Sequence, residues 1–181
     1  MNLWGKLLHC FGWKVDITVP YRNKCVICVA PHTSNWDFIL GLAAYRSLGR
    51  KANFLMKKFW FFFPLKYLLV SLGGIPVERK KKGGNLTSQI INRFKETSYM
   101  NLAVTPEGTR SATDTWKTGF LYMAYGAEVP VQLGVIDYGN KKIIIKDELI
   151  PSGDIEKDMK LVKNYYSRYS KAAKYPEKFK I

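Results

Sequence analysis

A continuous apolar run at residues 25–30, CVICVA, limits the fold of this chain more than any other segment. Uninterrupted apolar residues suit a strand that is buried on both faces, as in a parallel sheet covered by helices. Shorter apolar runs recur along the chain, and segments with helical periodicity separate them. This alternation predicts an α/β fold with a largely parallel central sheet flanked by helices. Sites in such folds form beyond the carboxyl ends of strands.

The other elements are predicted from periodicity and from turn residues. Further strands are predicted at residues 16–19, 52–56, 75–77, 102–105, 130–136 and 142–149. Helices are predicted at residues 36–48, 86–97, 117–125 and 155–173, with an amphipathic N-terminal helix at residues 1–14. This first helix either packs on the core or serves as a membrane anchor. Because the chain shows no linker or repeat, residues 1–181 are predicted to form a single domain.

The charge of the chain points to anionic partners. Lysine and arginine number 29 against 14 aspartate and glutamate residues, which gives a formal net charge of +15. Nucleic acid, an anionic membrane surface and a phosphorylated substrate all fit this charge. An aromatic run at residues 59–65 favours lipid, and we find no recognised nucleic-acid-binding motif. Core packing is the alternative for the aromatic run, and a solvated helix face is the simplest interpretation of the Lys and Tyr residues from Lys157 onward.

The three cysteines suit a reducing compartment. Cys25 and Cys28 are three residues apart in a predicted strand, so we expect them on opposite faces and predict no metal site. The sequence shows no secretory signal and no apolar stretch of the ~20 residues that cross a bilayer. We therefore expect a cytoplasmic protein that is peripheral on the inner face of the membrane.

His32 and Asp37 follow the buried strand directly, in the segment PHTSNWD. An imidazole is the side chain suited to act as a base near neutral pH, and a carboxylate on its second nitrogen fixes its tautomer. No Ser or Cys stands in a strand-to-helix elbow, so the nucleophile would be a hydroxyl group of the substrate. A structural histidine in a capped loop is the alternative.

A second motif, TPEGTRS at residues 105–111, follows another predicted strand. Gly108 permits a tight turn, while Thr109 and Arg110 offer a hydroxyl and a planar cation suited to phosphate oxygens. A plain turn with a solvated ion pair is the alternative. If both strands belong to the same parallel sheet, this motif lies at the same edge as His32.

Together, these motifs resemble those of the glycerolipid acyltransferases, typified by bacterial 1-acylglycerol-3-phosphate acyltransferase. The resemblance covers residues 25–136 and includes six elements in the family's order. These are the His32 and Asp37 pair, Lys57, GGIPVER at residues 73–79, EGTR at 107–110, KTGF at 117–120 and VPV at 129–131. Only 31 residues precede His32, so we expect a short variant with a glycerol-3-phosphate-acyltransferase-like fold.

The resemblance implies a role for each matching residue. His32 would take the proton of the acceptor hydroxyl, and Asp37 would orient and charge-stabilise His32. Pro130 would shape the acyl or thioester path. The donor would be an acyl carrier protein or coenzyme A thioester, with no metal and no other cofactor, and the acceptor a lysophospholipid. The residues implied in acceptor binding, chiefly at its phosphate, are Lys57, Arg79, Glu107, Gly108, Thr109 and Arg110.

Two other functions stay open at this point. A non-catalytic basic module would bind an anionic membrane or nucleic acid without turnover, and salt would weaken that binding steeply. A thioesterase would use the same His32 and Asp37 to activate water instead of a lipid hydroxyl.

Overall fold

The computed structural model of the chain describes residues 2–77 and 86–181. Within these residues, seven strands form one sheet in the order β1-β7-β6-β2-β5-β3-β4. The strands are β1 (Lys14–Ile17), β2 (Lys24–Val29), β3 (Asn53–Lys57), β4 (Gly74–Val77), β5 (Met100–Val104), β6 (Val131–Asp137) and β7 (Lys142–Leu149).

Most of the sheet is parallel. Strands β6, β2, β5, β3 and β4 run in one direction, whereas β7 returns antiparallel to β6 and β1 pairs parallel with β7. The predicted α/β fold with a largely parallel sheet is confirmed. The carboxyl ends of the five parallel strands share one edge, which we call the carboxyl edge of the sheet.

Six α-helices lie in the described part of the chain. They are α1 (Leu3–Cys10), α2 (Asn35–Ser47), α3 (Leu65–Ser71), α4 (Leu86–Glu96), α5 (Gly119–Gly126) and α6 (Ile155–Ser167). In residues 2–77 and 86–181, none of these helices has the length and apolar character needed to cross a membrane.

The two faces of the sheet carry different helices. On one face, Phe94 of α4, Leu121 of α5 and Tyr166 of α6 belong to the largest core cluster. On the other face, Leu8 of α1 and Ala44 of α2 pack with residues of β6 and β7. In β2, Val26 and Cys28 belong to the largest cluster, whereas Cys25 and Ile27 belong to a separate cluster that includes Tyr45 of α2, so β2 is buried on both sides, as its continuous apolar sequence predicts.

The C-terminal segment differs from the sequence-based expectation. The predicted helix 155–173 ends at Ser167, and the chain then turns so that the Ala172 carbonyl accepts the Tyr138 N–H at 2.8 Å. The solvated Lys and Tyr face is also wrong in part, because Tyr165 and Tyr166 are buried. The Tyr166 hydroxyl donates to the Cys28 carbonyl at 2.6 Å, so a backbone acceptor in the sheet allows this polar group to be buried.

Candidate active site

The loop between β2 and α2 brings His32 and Asp37 together. His32 Nδ1 lies 3.1 Å from Asp37 Oδ2, and Asp37 is almost fully buried. The sequence folds this way because Ser34 caps α2 and Asp37 stands at its third position, which forms a capping box. The helix start therefore turns the carboxylate back beneath the imidazole, at the carboxyl edge of the sheet.

Asp37 is held by more than His32. Its Oδ2 accepts the backbone N–H groups of Thr33 and Ser34, both at 2.9 Å, and its Oδ1 accepts the Tyr138 hydroxyl at 2.6 Å. Burial alone would raise the pKa of Asp37, but the hydrogen bonds from His32, Tyr138 and Ser34 outweigh burial and lower it. Asp37 is thus a carboxylate at neutral pH.

The ionised carboxylate sets the tautomer of the neutral imidazole. A carboxylate only accepts hydrogen bonds, so Nδ1 of His32 carries the hydrogen and Nε2 carries the free lone pair. The His32 side chain is 17% exposed and lines a cavity. A substrate hydroxyl in that cavity would meet a nitrogen able to accept its proton.

Glu107 supports this loop from below. Its side chain is buried, and Oε1 accepts the His32 backbone N–H at 2.8 Å. Burial raises the pKa of Glu107 to about 8, the hydrogen bond from the His32 backbone opposes this rise, and the nearby Asp37 charge adds to it. The carboxyl group therefore supports the His32 loop, and its contact with the acceptor, which the resemblance implies, stays a prediction.

Arg110 and Gly108 lie beside His32, as expected for motifs that follow neighbouring parallel strands. The Arg110 guanidinium donates to the Asn35 side chain at the start of α2, and both residues line the cavity. Gly108 has a φ of +65°, in the region that favours glycine, and an added Cβ would lie 3.4 Å from the Lys117 side chain. Lys117 also lines the cavity, so two cations stand near His32.

The cavity has a volume of about 950 Å³. Its mouth is polar, with His32, Arg110 and Lys117, whereas its interior lies between α2 and the sheet and is apolar. The apolar lining comes mainly from α2 and six strands, β1, β2, β3, β5, β6 and β7, and includes Leu42, Ile27, Phe54, Ala103, Ile136 and Ile145. A histidine–aspartate pair at the mouth of an apolar cavity suits a substrate with a polar reacting group and a long hydrocarbon chain.

Comparison with known families identifies the chain. A family model described as Acyltransferase matches residues 15–135, a span that includes both motifs. The chain belongs to this family, the glycerolipid acyltransferases. A search of curated proteins found no match.

The remaining motif residues of this acyltransferase are spread along the sheet. Lys57 is the last residue of β3, exposed at the carboxyl edge, and Thr109 is exposed with its hydroxyl accepting the Ser111 N–H at 3.2 Å. Pro130 precedes β6 and therefore lies at the opposite edge from His32, where its carbonyl accepts the Val26 N–H at 2.9 Å. Within the described chain, Pro130 is not among the cavity-lining residues. Arg79 lies outside the described residues.

Tyr138 is the main site residue that the sequence did not reveal. It follows β6, and β6 runs parallel to β2, so its position at the carboxyl edge was a usable signal. The prediction missed it because no motif marks a tyrosine that contacts Asp37 from 101 residues away. Burial raises the pKa of Tyr138, and the Asp37 carboxylate raises it further, so the hydroxyl stays protonated and donates.

The cysteines of the acyltransferase do not join this site. Cys25 and Cys28 are buried in different core clusters on opposite faces of β2, as predicted. Burial raises the pKa of Cys25 to about 12 and raises that of Cys28 as well, so neither is a ready nucleophile. In residues 2–77 and 86–181, no group of three or more metal-ligating side chains comes together.

Proposed function

We propose that this acyltransferase moves a fatty acyl group from an acyl thioester to the hydroxyl of a lysophospholipid-type acceptor such as 1-acylglycerol-3-phosphate. The observation that supports it is the His32 and Asp37 contact of 3.1 Å at the mouth of an apolar cavity. In this proposal His32 is the general base, and Asp37 orients it and stabilises its protonated form.

The reaction proceeds by direct attack. Nε2 of His32 takes the proton of the acceptor hydroxyl while the acceptor oxygen bonds to the thioester carbonyl carbon. The tetrahedral intermediate then collapses, the carbon–sulfur bond breaks, and the thiolate takes the proton from His32. Within the described residues, the two hydroxyl side chains that follow His32 are both engaged: the Thr33 hydroxyl oxygen accepts the Tyr175 N–H at 3.2 Å, and Ser34 caps α2. The acceptor oxygen therefore replaces a protein nucleophile.

Arg110 and Lys117 supply positive charge beside the base. The backbone N–H groups of His32, Thr33 and Ser34 already donate to carboxyl groups, so they are not available to a developing oxyanion. The two cations therefore bind the acceptor phosphate or stabilise the oxyanion. Lys57 ends β3, and Arg79 comes two residues after the end of β4 in the sequence; in this proposal both extend the phosphate-binding role, as do Gly108 and Thr109.

The apolar interior of the cavity accommodates the acyl chain of a coenzyme A or acyl carrier protein thioester. Both carriers are anionic, which agrees with the net charge of +15. The cysteines at positions 10, 25 and 28 are free thiols, which suits a reducing compartment and the cytoplasmic face of a membrane. We propose no further cofactor.

The test is a panel of acyl carrier protein and coenzyme A thioesters against lysophospholipids and amino-acid-based lyso-lipids, with detection of lipid products by mass spectrometry. Wild-type protein should form a new diacyl product with at least one pair. His32→Ala should reduce that rate by a factor of about a hundred to ten thousand.

His9→Ala is the matched control, because His9 is the other histidine of the chain and has no place in the proposed reaction. Its rate should equal that of the wild type. If no pair gives product faster than with His32→Ala, the proposal is wrong. If thioester is hydrolysed at the same rate with and without acceptor, the protein is a thioesterase.

A further inference from the structure

The segment between β3 and β4 exposes large apolar side chains that the core does not use. Phe59 is 80% exposed and Phe63 is 76% exposed. Of the seven residues of α3 that follow, Leu69 is buried, whereas Tyr67, Leu68 and Val70 are exposed. Water contact with so many neighbouring apolar groups is unfavourable, so this surface is suited to contact another apolar phase.

Arg46 places α1 beside this segment. Its guanidinium donates to the Ser71 carbonyl at the end of α3 at 2.9 Å and lies 5.4 Å from the centre of the Trp4 ring. Its carbonyl accepts from the Asn2 side chain at 2.7 Å. Helices α1 and α3 therefore lie near the same end of α2. We call the exposed apolar side chains of residues 3–11 and 59–70 the apolar face, which includes Leu3, Leu7, Phe11, Phe59, Phe63, Tyr67, Leu68 and Val70.

The sequence segments that form the apolar face are basic. The sequence has no Asp or Glu before Asp16 and none between Asp37 and Glu78. Lys57, Lys58 and Lys66 lie within or next to the aromatic segment, and the Lys66 ammonium is 4.9 Å from the Tyr67 ring centre. Neighbouring aromatic and basic side chains complement an anionic lipid surface, in which rings lie at headgroup depth and ammonium groups meet phosphates.

The apolar face adjoins the cavity. Trp60 belongs to the aromatic segment, is 48% exposed and lines the cavity, as do the exposed Phe38 and Ile39 of α2. A lipid at this face would reach the cavity without crossing bulk water. Two copies of the chain would instead bring like charges together across the face, which disfavours self-association there.

We propose that the apolar face docks on an anionic bilayer, with residues 59–70 and α1 at the interface, so that the cavity opens towards the lipid. The docking does not depend on the reaction. Its role in delivering lipid to the cavity rests on the proposed acyl transfer. The N-terminal helix is thus one part of the membrane contact, because its Leu8 packs in the core while Leu3, Leu7 and Phe11 face outwards.

The test is co-sedimentation of the full chain with vesicles of phosphatidylglycerol and phosphatidylcholine in equal parts, compared with phosphatidylcholine alone. The wild type should bind the anionic vesicles more tightly, and added salt should weaken the binding. Phe59→Ser with Phe63→Ser should weaken it by about tenfold or more, because two exposed apolar anchors are lost. Lys66→Glu should weaken binding to the anionic vesicles alone.

Ile150→Ser with Leu161→Ser is the matched control, because both side chains are exposed but lie outside the apolar face. The control and His32→Ala should bind as the wild type does, and circular dichroism should show that all variants are folded. Failure of the wild type to bind anionic vesicles would overturn the proposal. Equal binding by Phe59→Ser with Phe63→Ser and by Ile150→Ser with Leu161→Ser would overturn it too. A wild-type dimer that Phe59→Ser with Phe63→Ser dissociates, without loss of vesicle binding, would assign the face to self-association instead. Since binding is read without turnover, its failure is distinct from a failure of the acyl transfer.

Discussion

Asp37 organises the residues around His32. Its two oxygens accept hydrogen bonds from the His32 ring, the Tyr138 hydroxyl and the backbone of Thr33 and Ser34. A carboxylate with so many donors is fixed in position and stays ionised, which keeps the imidazole in one tautomer. The orientation of His32 therefore depends on β6, through Tyr138, as well as on its own loop.

Tyr138→Phe tests this dependence. The change removes the 2.6 Å hydrogen bond to Asp37 and should lower kcat by about tenfold, with little effect on KM, because a hydrogen bond to a charged group is worth about 1.5–3 kcal/mol. The pKa of Asp37 in the folded state is lowered by its partners, so the stability that it contributes is present above the unfolded-state pKa and is lost as pH falls through the folded-state pKa; without Tyr138 that contribution should be smaller and its loss should be complete at a higher pH. Steady-state kinetics and unfolding across acidic pH measure both effects.

Tyr122→Phe is the control for Tyr138→Phe, since Tyr122 is exposed on α5. It should leave kcat unchanged, and its free energy of unfolding should decrease at acidic pH as that of the wild type does. Equal kinetics and equal acid stability for Tyr138→Phe and wild type would mean that Tyr138 does not position Asp37.

Glu107 gives the protein a second pH dependence of opposite sign. Its pKa in the folded state is raised to about 8, above the ordinary value of 4.5, so the folded state holds a proton that the unfolded state has lost. The free energy of unfolding should therefore decrease as pH rises between these values. Glu107→Gln keeps an acceptor for the His32 N–H but does not titrate.

Denaturant unfolding of wild type and Glu107→Gln at about pH 5 and about pH 8 tests this prediction. From the lower to the higher pH, the free energy of unfolding of the wild type should decrease by on the order of a few kcal/mol more than that of Glu107→Gln. Parallel pH dependences of the two proteins would show that Glu107 does not carry this proton in the folded state.

At the scale of elements, α2 both presents Asp37 and covers the cavity. Gly41 lies in the middle of this helix and lines the cavity, and among residues 2–77 and 86–181 a Cβ added there would meet only Ile136 Cδ1 within 4 Å, at 3.9 Å. The position therefore has room for a side chain, and that side chain would take space from the proposed acyl site.

Gly41→Ala and Gly41→Leu form a graded test. Gly41→Ala should stabilise the protein by about 0.5–1 kcal/mol, because alanine loses less conformational entropy in a helix than glycine. Gly41→Leu should shift the preferred donor to shorter acyl chains, measured as relative kcat/KM over a series of chain lengths. If Gly41→Leu and Gly41→Ala have the same chain-length profile, the acyl chain does not occupy the space under α2.

The elements were predicted well where one local pattern decides them. The apolar run of β2 and the cap of α2 are local signals, and they placed His32 and Asp37 at the correct edge of the sheet. The end of α6 and the burial of Tyr166 were mispredicted, because both depend on partners far along the chain. The hydroxyl of Tyr166 is buried at no cost in hydrogen bonding only because the Cys28 carbonyl is within reach.

At the scale of the whole molecule, the helices on the two faces of the sheet contribute to different features. The face with α4, α5 and α6 contains the largest apolar cluster, whereas α1 and α2 cover the other face, where α2 lines the cavity and residues of α1 belong to the apolar face. The reversed strands β7 and β1 could not be predicted from spacing, whereas the predicted strand at residues 130–136 already implied that Pro130 lies at the edge opposite His32. Strand order and direction are set by contacts between distant segments, which a linear pattern does not show.

The most direct test of the proposed function is the initial rate of thiol release from an acyl thioester, with and without lysophospholipid, for wild type and His32→Ala. We predict that release by the wild type requires the acceptor and yields the acylated lipid in equal amount. His32→Ala should lower that rate by a factor of about a hundred or more. Release that is independent of the acceptor, or a His32→Ala rate equal to that of the wild type, would contradict direct acyl transfer with His32 as the base.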